Sequence, residues 1–284
     1  MSRQQVSQLA ISVILIMLFL AGCGAPAATP ASETPTATTT LRPSMLTPAA
    51  PTFTPTPEPS AVTPELPDKI LFIGNSLTYY NDGLDHHIEK LAASANPPLV
   101  IEADRFTQGG ASLERLWRKY CLRRATNDID VSAYDVVVLQ EDLPETDVHT
   151  FHEYARQFDA EIKKAGTRPL LFMAWSYERL GWITMEEIAQ AHRDIATELG
   201  TDVAPVGLAW QRAMKERPGL DMYASDREHP SIYGTYLAAN VVYATVFGKS
   251  LVGLAYFPSG VSEEEAAFLQ RIAWETVQEY QAEQ

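Results

Sequence analysis

Four consecutive apolar residues, Val136-Val137-Val138-Leu139, stand between two polar stretches with no alternation of polar and apolar positions. A run of that kind suits a strand covered on both faces, which is the condition of a central strand in a parallel sheet with helices on either side. Parallel neighbours cannot be joined by hairpins and need long crossovers, normally helical. The sequence supplies both parts. Further short apolar runs at Lys69–Ile73, Leu99–Ala103, Pro169–Trp175 and Asp202–Val206 join Asp135–Gln140 as expected strands. Amphipathic stretches at Leu84–Ala95, Ser112–Leu122, Val148–Ala165 and Thr184–Leu199 lie between them. Two more helices are expected at Ser231–Phe247 and Ser262–Tyr280. Thr184-x-x-Glu187 and Ser262-x-x-Glu265 have the form of capping boxes and mark two of the helix starts. The expected fold class is therefore α/β: a three-layer, doubly wound, mainly parallel five-stranded sheet with helices on both faces.

That pattern occupies residues 68–284, which suit a single domain. Residues 1–23 have a different character: Arg3, an apolar run from Leu9 to Leu20, then Ala21-Gly22-Cys23. This is the three-region layout of an export signal. Leu20-Ala21-Gly22-Cys23 resembles the lipobox of bacterial lipoproteins, which implies cleavage before Cys23 and lipidation of that cysteine. The alternative is a short buried helix. From residue 24 to 67, 11 Pro and 11 Thr fill half of the 44 positions, a composition unable to bury enough apolar surface to offset the entropy of ordering. We read this segment as a disordered linker reaching at most roughly 130 Å from a membrane. The expected location is outside the cell, anchored by lipid to the outer face of a bacterial membrane.

Composition narrows the partners. The formal charge of −14 repels a phosphate backbone, so nucleic acid is not expected. Two cysteines supply neither a disulfide framework nor a cysteine-rich metal site. His86-His87 with Asp82 is the one metal-like grouping, but adjacent helical residues point about 100° apart, and a solvated helix face is the better reading. No metal or cofactor is expected.

In an open parallel sheet, ligands bind beyond the carboxyl ends of the strands, so the residues there carry the chemistry. The first strand runs into Gly74-Asn75-Ser76, where Ser76 is either an exposed nucleophile beside free backbone N–H groups or, with Asn75, a helix cap. The second is followed by Gly109-Gly110-Ala111-Ser112, either a close backbone approach to a ligand or a plain turn capped by Ser112. The third ends in Gln140-Glu141-Asp142, where Gln140 either donates to a ligand oxygen or satisfies loop backbone. Trp175 and Tyr177 follow the fourth strand and suit either sugar stacking at a rim or core packing. Tyr79 and Tyr80 share that ambiguity. Asp226-x-x-His229 places a carboxylate where it can fold back onto an imidazole, fixing the tautomer that takes a proton from a serine.

Together, Gly74-Asn75-Ser76, Gly109-Gly110, Gln140 and Asp226-x-x-His229-Pro230-Ser231 resemble the sequence blocks of the SGNH (GDSL-like) hydrolases, over a region from Lys69 to about Phe247. The resemblance implies a flavodoxin-like SGNH fold, with Ser76 as nucleophile, His229 as general base and acid, and Asp226 as its orienting partner. It also implies an oxyanion hole from the N–H groups of Ser76 and Gly110, completed by Gln140 where the family usually has asparagine. Asn75 stands where aspartate is usual and, with Trp175 and Tyr177, is an expected substrate contact. The implied reaction is ester hydrolysis through an acyl-enzyme. An exported enzyme meets glycans first, so deacetylation of extracellular carbohydrate is the leading expectation. A lipid or short-chain esterase, or a non-catalytic glycan-binding lipoprotein, are the alternatives.

Overall fold

A computed structural model describes residues 66–126 and 128–284. The export signal, lipobox cysteine Cys23 and nearly all of the expected linker lie outside the described residues.

Five parallel strands form one sheet: β1 (Lys69–Gly74), β2 (Glu102–Thr107), β3 (Val136–Gln140), β4 (Arg168–Phe172) and β5 (Asp202–Ala204), in the order β2-β1-β3-β4-β5. Helices alternate with them along the chain: α1 (Ser76–Tyr79), α2 (Leu84–Ala93), α3 (Leu113–Ala125), α4 (Val148–Lys164), α5 (Met185–Leu199), α6 (Val206–Glu216), α7 (Ile232–Phe247) and α8 (Glu263–Ala282). Side chains alternate across the sheet because the strand period is two. Ile70, Phe72, Val136, Val138, Leu170 and Phe172 therefore face the side of α2, α6 and α7, with α8 packed outside on α6 and α7, whereas Leu71, Ile73, Val137, Leu139 and Leu171 face α3, α4 and α5. This is the three-layer doubly wound arrangement that the apolar β3 requires.

Helix α7 is buried from Gly234 to Phe247 because it lies in the layer against the sheet with α8 packed on it. The close fit is visible at Gly234, where a Cβ would stand 2.4 Å from the Met222 carbonyl oxygen and 2.6 Å from the Trp210 ring. Both expected capping boxes are present, at Thr184/Glu187 and Ser262/Glu265.

Several elements differ from the sequence reading: the fourth strand ends at Phe172 rather than Trp175, helices α1 and α6 lie outside the expected helical stretches, and the second and fifth strands have other bounds. Strand β2 begins at Glu102, not Leu99. It is an edge strand that is largely exposed, so its place is set by pairing with β1 rather than by hydrophobicity, while Leu99 and Ile101 lean onto the core beside it. The fifth strand stops at Ala204, and Val206 opens α6 after Pro205. In the 2-1-3-4-5 order the chain reverses direction of travel between β1 and β3, and the crevice at such a switch point is where ligands bind. Ser76 follows β1 and Gln140 ends β3, so both flank it.

Candidate active site

Strand β1 delivers Ser76 through a turn with little room. A Cβ on Gly74 would lie 2.2 Å from Thr78 Oγ1 and 2.7 Å from Gln140 Oε1, so only glycine fits. Asn75 adopts extended backbone and caps α1, its side-chain oxygen accepting from the Leu77 N–H at 3.0 Å. Ser76 is thereby left half-buried at the head of α1. Across the crevice, the segment between α6 and α7 brings His229 to it, with Ser76 Oγ 2.8 Å from His229 Nε2. His229 Nδ1 is 2.7 Å from Asp226 Oδ2. A carboxylate only accepts, so Nδ1 carries the ring proton and Nε2 is the acceptor for the serine hydroxyl. Burial alone raises the Asp226 carboxyl, but hydrogen bonds from the His229 ring and from the backbone N–H groups of His229 and Glu228 outweigh it and hold the group below the ordinary aspartate value.

The histidine segment is braced from several sides. Asp226 Oδ1 accepts from the N–H groups of Glu228 and His229 at 3.1 and 3.0 Å, and the Ala224 N–H donates to the His229 carbonyl at 2.7 Å. Trp175 Nε1 donates to the Glu228 carbonyl at 2.9 Å, and Arg179 pairs with both Glu228 and Glu145. The Tyr80 ring stacks on the imidazole, 4.6 Å between centroids and 20° between planes. Asn81, at φ 49°, donates from Nδ2 to the Pro230 carbonyl at 3.0 Å and to Thr235 Oγ1 at 2.8 Å. Its own carbonyl lies 2.8 Å from His87 Nε2, which must donate, leaving Nδ1 to accept from the Tyr256 hydroxyl at 2.8 Å. Burial lowers the His87 pKa, which favours the neutral ring. His87 is thus a buried strut, not part of a solvated face; only its neighbour His86 is exposed.

Gly110, at φ 59°, is exposed beyond β2, and its N–H, like that of Ser76, has no hydrogen-bond partner among the described residues. Gly109 lies against Tyr79, whose hydroxyl would be 2.8 Å from an added Cβ. Gln140 does not join these donors. Its Oε1 accepts from the Asn75 N–H at 2.8 Å and from Thr78 Oγ1 at 3.2 Å, while its Nε2 donates to the Glu141 carbonyl at 2.8 Å. The expectation that Gln140 completes an oxyanion hole is corrected. The extra methylene carries its amide into buried backbone, where both ends are engaged and the side chain is 1% exposed. Glu141 is equally buried, accepting from the Leu113 N–H at 3.1 Å through Oε2 and from the Asp142 N–H at 2.7 Å through Oε1. Burial pushes its carboxyl up to about 7. Asp142 is likewise raised by burial, to about 6, and accepts from the Tyr177 hydroxyl at 2.6 Å.

The sequence matches no family model and no curated protein. Solved structures do match. A DUF4886 family protein from Bacteroides uniformis superposes with a TM-score of 0.59 at 18% identity, covering 74% of this chain and 94% of that one. A protein from Slackia heliotrinireducens assigned to the SGNH hydrolases gives 0.50 at 26% identity, covering 62% and 97%. An acetyl-xylooligosaccharide esterase from Geobacillus gives 0.51 at 20% identity, covering 65% and 95%. The chain has the SGNH hydrolase fold.

On that SGNH frame the remaining expected contacts can be placed. Asn75 is 1% exposed and serves as a cap, so its side chain is not offered to substrate. Trp175 and Tyr177 are 1% and 2% exposed. Trp175 stacks on Trp210 at 3.6 Å between centroids, and Tyr177 is turned inward onto Asp142. Both are corrected from rim to interior, because each polar tip finds a partner inside the SGNH scaffold. Tyr80, offered by the sequence as a stacking or packing residue, stacks on His229, whereas Asn81, Glu141 and Arg179 were not singled out from sequence as parts of the site. The Asn81-Asp82-Gly83 turn signal was the one clue to Asn81; Glu141 and Arg179 had none.

Proposed function

We propose that this protein is a serine esterase that hydrolyses carboxylic esters through an acyl-enzyme. The observation that carries the reading is the continuous row from Asp226 Oδ2 to His229 Nδ1, then from His229 Nε2 to Ser76 Oγ, at 2.7 and 2.8 Å. Those distances let His229 take the hydroxyl proton as Ser76 attacks the ester carbonyl, while Asp226 stabilises the imidazolium that forms. The carbonyl oxygen becomes an oxyanion, for which the Ser76 and Gly110 N–H groups are free donors. Collapse of the tetrahedral intermediate returns the proton from His229 to the leaving alcohol. Water, deprotonated by His229, then releases the acid and regenerates Ser76.

For the substrate we propose acetylated carbohydrate, met outside the cell by an exported, Cys23-lipidated protein. Support comes from the structural likeness to an acetyl-xylooligosaccharide esterase and from the export-signal and lipobox pattern of residues 1–23. The test is release of acetate from p-nitrophenyl acetate and from acetylated xylo-oligosaccharides by the wild type and by Ser76→Ala. Ser76-dependent hydrolysis of both is expected. Turnover of the aryl ester alone moves the substrate to lipid or short-chain esters, and no Ser76-dependent turnover of any ester refutes the enzyme.

A further inference from the structure

The reaction above makes no use of Glu141, yet a fully buried carboxylate is costly to hold and needs a reason. Its contacts supply one. Through Oε2 it accepts from Leu113 N, the first residue of α3, whose N–H has no acceptor within the helix. Through Oε1 it accepts from Asp142 N and, at 3.4 Å, from Thr146 Oγ1. Leu113 stands three residues after Gly110, and between them Ala111 is wholly buried. The glycine loop is therefore pinned at Leu113 to the end of β3. The adjacent Gln140 does the same for the other side of the crevice, accepting from Asn75 N, one peptide before Ser76 N. The Gln140 amide also donates to the Glu141 carbonyl, which locks the two residues to each other.

We propose that Glu141 is a positioning residue for the oxyanion hole: its carboxylate fastens the Gly110 loop to the same strand end from which Gln140 fixes the Ser76 turn, so that one rigid dipeptide sets the separation of the two N–H donors. The inference rests on the esterase reading, and it assigns Gln140 and Glu141 the work of spacing donors instead of supplying one. A displacement of either donor by about 1 Å is enough to lower turnover by up to roughly a hundredfold.

The test is a comparison of wild type, Glu141→Ala, which removes both acceptor oxygens, and Glu141→Gln, which keeps one. In folded Glu141→Ala, kcat for p-nitrophenyl acetate is expected to fall about 10- to 100-fold with KM within about twofold. Inhibition by phenylboronic acid, whose serine adduct is tetrahedral, weakens by the same factor, and Glu141→Gln lies between. A wild-type kcat in folded Glu141→Ala, or a lowered kcat with unchanged boronate inhibition, overturns the proposal. Because Glu141→Ala is prone to misfold, the same bond is also removed from its other end. Leu113→Pro deletes the N–H at a first-turn position that accepts proline, whereas Leu113→Ala loses only the packing. A larger kcat loss in Leu113→Pro supports the pinning, and equal losses overturn it. Should the wild type hydrolyse no ester, the esterase reading alone fails. Amide exchange at Leu113 then decides: it is expected to be about tenfold faster in Glu141→Ala, and unchanged exchange overturns the pinning.

Discussion

Burying Glu141 has a thermodynamic signature that can be worked out before any assay. Its folded pKa is raised to about 7 from 4.5, so between those values the native state holds a proton that the unfolded chain has released. Stability then falls as pH rises through that window, because the slope of unfolding free energy with pH follows the difference in bound protons between unfolded and native states. With those two values the Glu141 contribution drops by about 2 to 3 kcal/mol from pH 5 to pH 8. The wild-type curve hides much of this. His192, wholly buried with Nδ1 donating to the Ile188 carbonyl, is lowered by burial from 6.5 to about 4, and it gains stability over an overlapping range as pH rises. Asp142, raised to about 6, adds a slope of the same sign as that of Glu141, and Glu141→Gln removes the Glu141 part. Urea unfolding of wild type and variant at half-unit intervals from pH 5 to 8 is the assay. A constant offset between the curves reports hydrogen bonds lost with the carboxylate, whereas a change in their separation reports titration. The variant is expected to gain about 2 to 3 kcal/mol on the wild type across the interval, or roughly 5–10 °C in Tm for a domain of this size. Parallel curves refute the reasoning, since they mean that Glu141 titrates alike in folded and unfolded chains.

His192→Leu gives the mirror image: relative to wild type it loses its advantage as pH rises from 4 to 6.5, by about 3 kcal/mol, in a urea series extended down to pH 4. Gly234→Ala places a Cβ 2.4 Å from a backbone oxygen and against a fully packed Trp210, and is expected to destabilise by about 3 kcal/mol, read as a Tm loss. Trp175→Phe leaves the Glu228 carbonyl without its donor and weakens the stack on Trp210. It is expected to lower stability by about 2 kcal/mol and kcat severalfold, since that carbonyl immediately precedes His229. An unchanged kcat would show that the brace does not control the imidazole.

What could be read from sequence follows from where each signal is encoded. Val136–Leu139 is legible because a doubly covered strand has nowhere to put a polar residue, and the β-α alternation around it then leaves few topologies. Strand β2 was misplaced because its register is written in hydrogen bonds to β1, not in its own exposed residues. The Asp226–His229 contact is local, three residues apart, and so is visible as spacing. The meeting of His229 with Ser76, 153 positions away, follows only once both are assigned to the carboxyl ends of one sheet. Gln140 shows the limit. Its position at the end of β3 was correct, but the direction of an amide depends on which backbone N–H lies nearest, and Asn75 N is supplied by another strand. Trp175 and Tyr177 fail for the same reason, since their polar tips satisfy Glu228 and Asp142 from a distance in sequence.

The central claim is that Ser76 becomes acylated with His229 as its base. Intact-protein and peptide mass spectrometry of acid-quenched reactions with p-nitrophenyl acetate measures this most directly. The account predicts one acetyl group per chain, mapped to Ser76, and none on Ser76 in His229→Ala. Acetylation of another residue, or Ser76 acetylation that is indifferent to loss of His229, would contradict it.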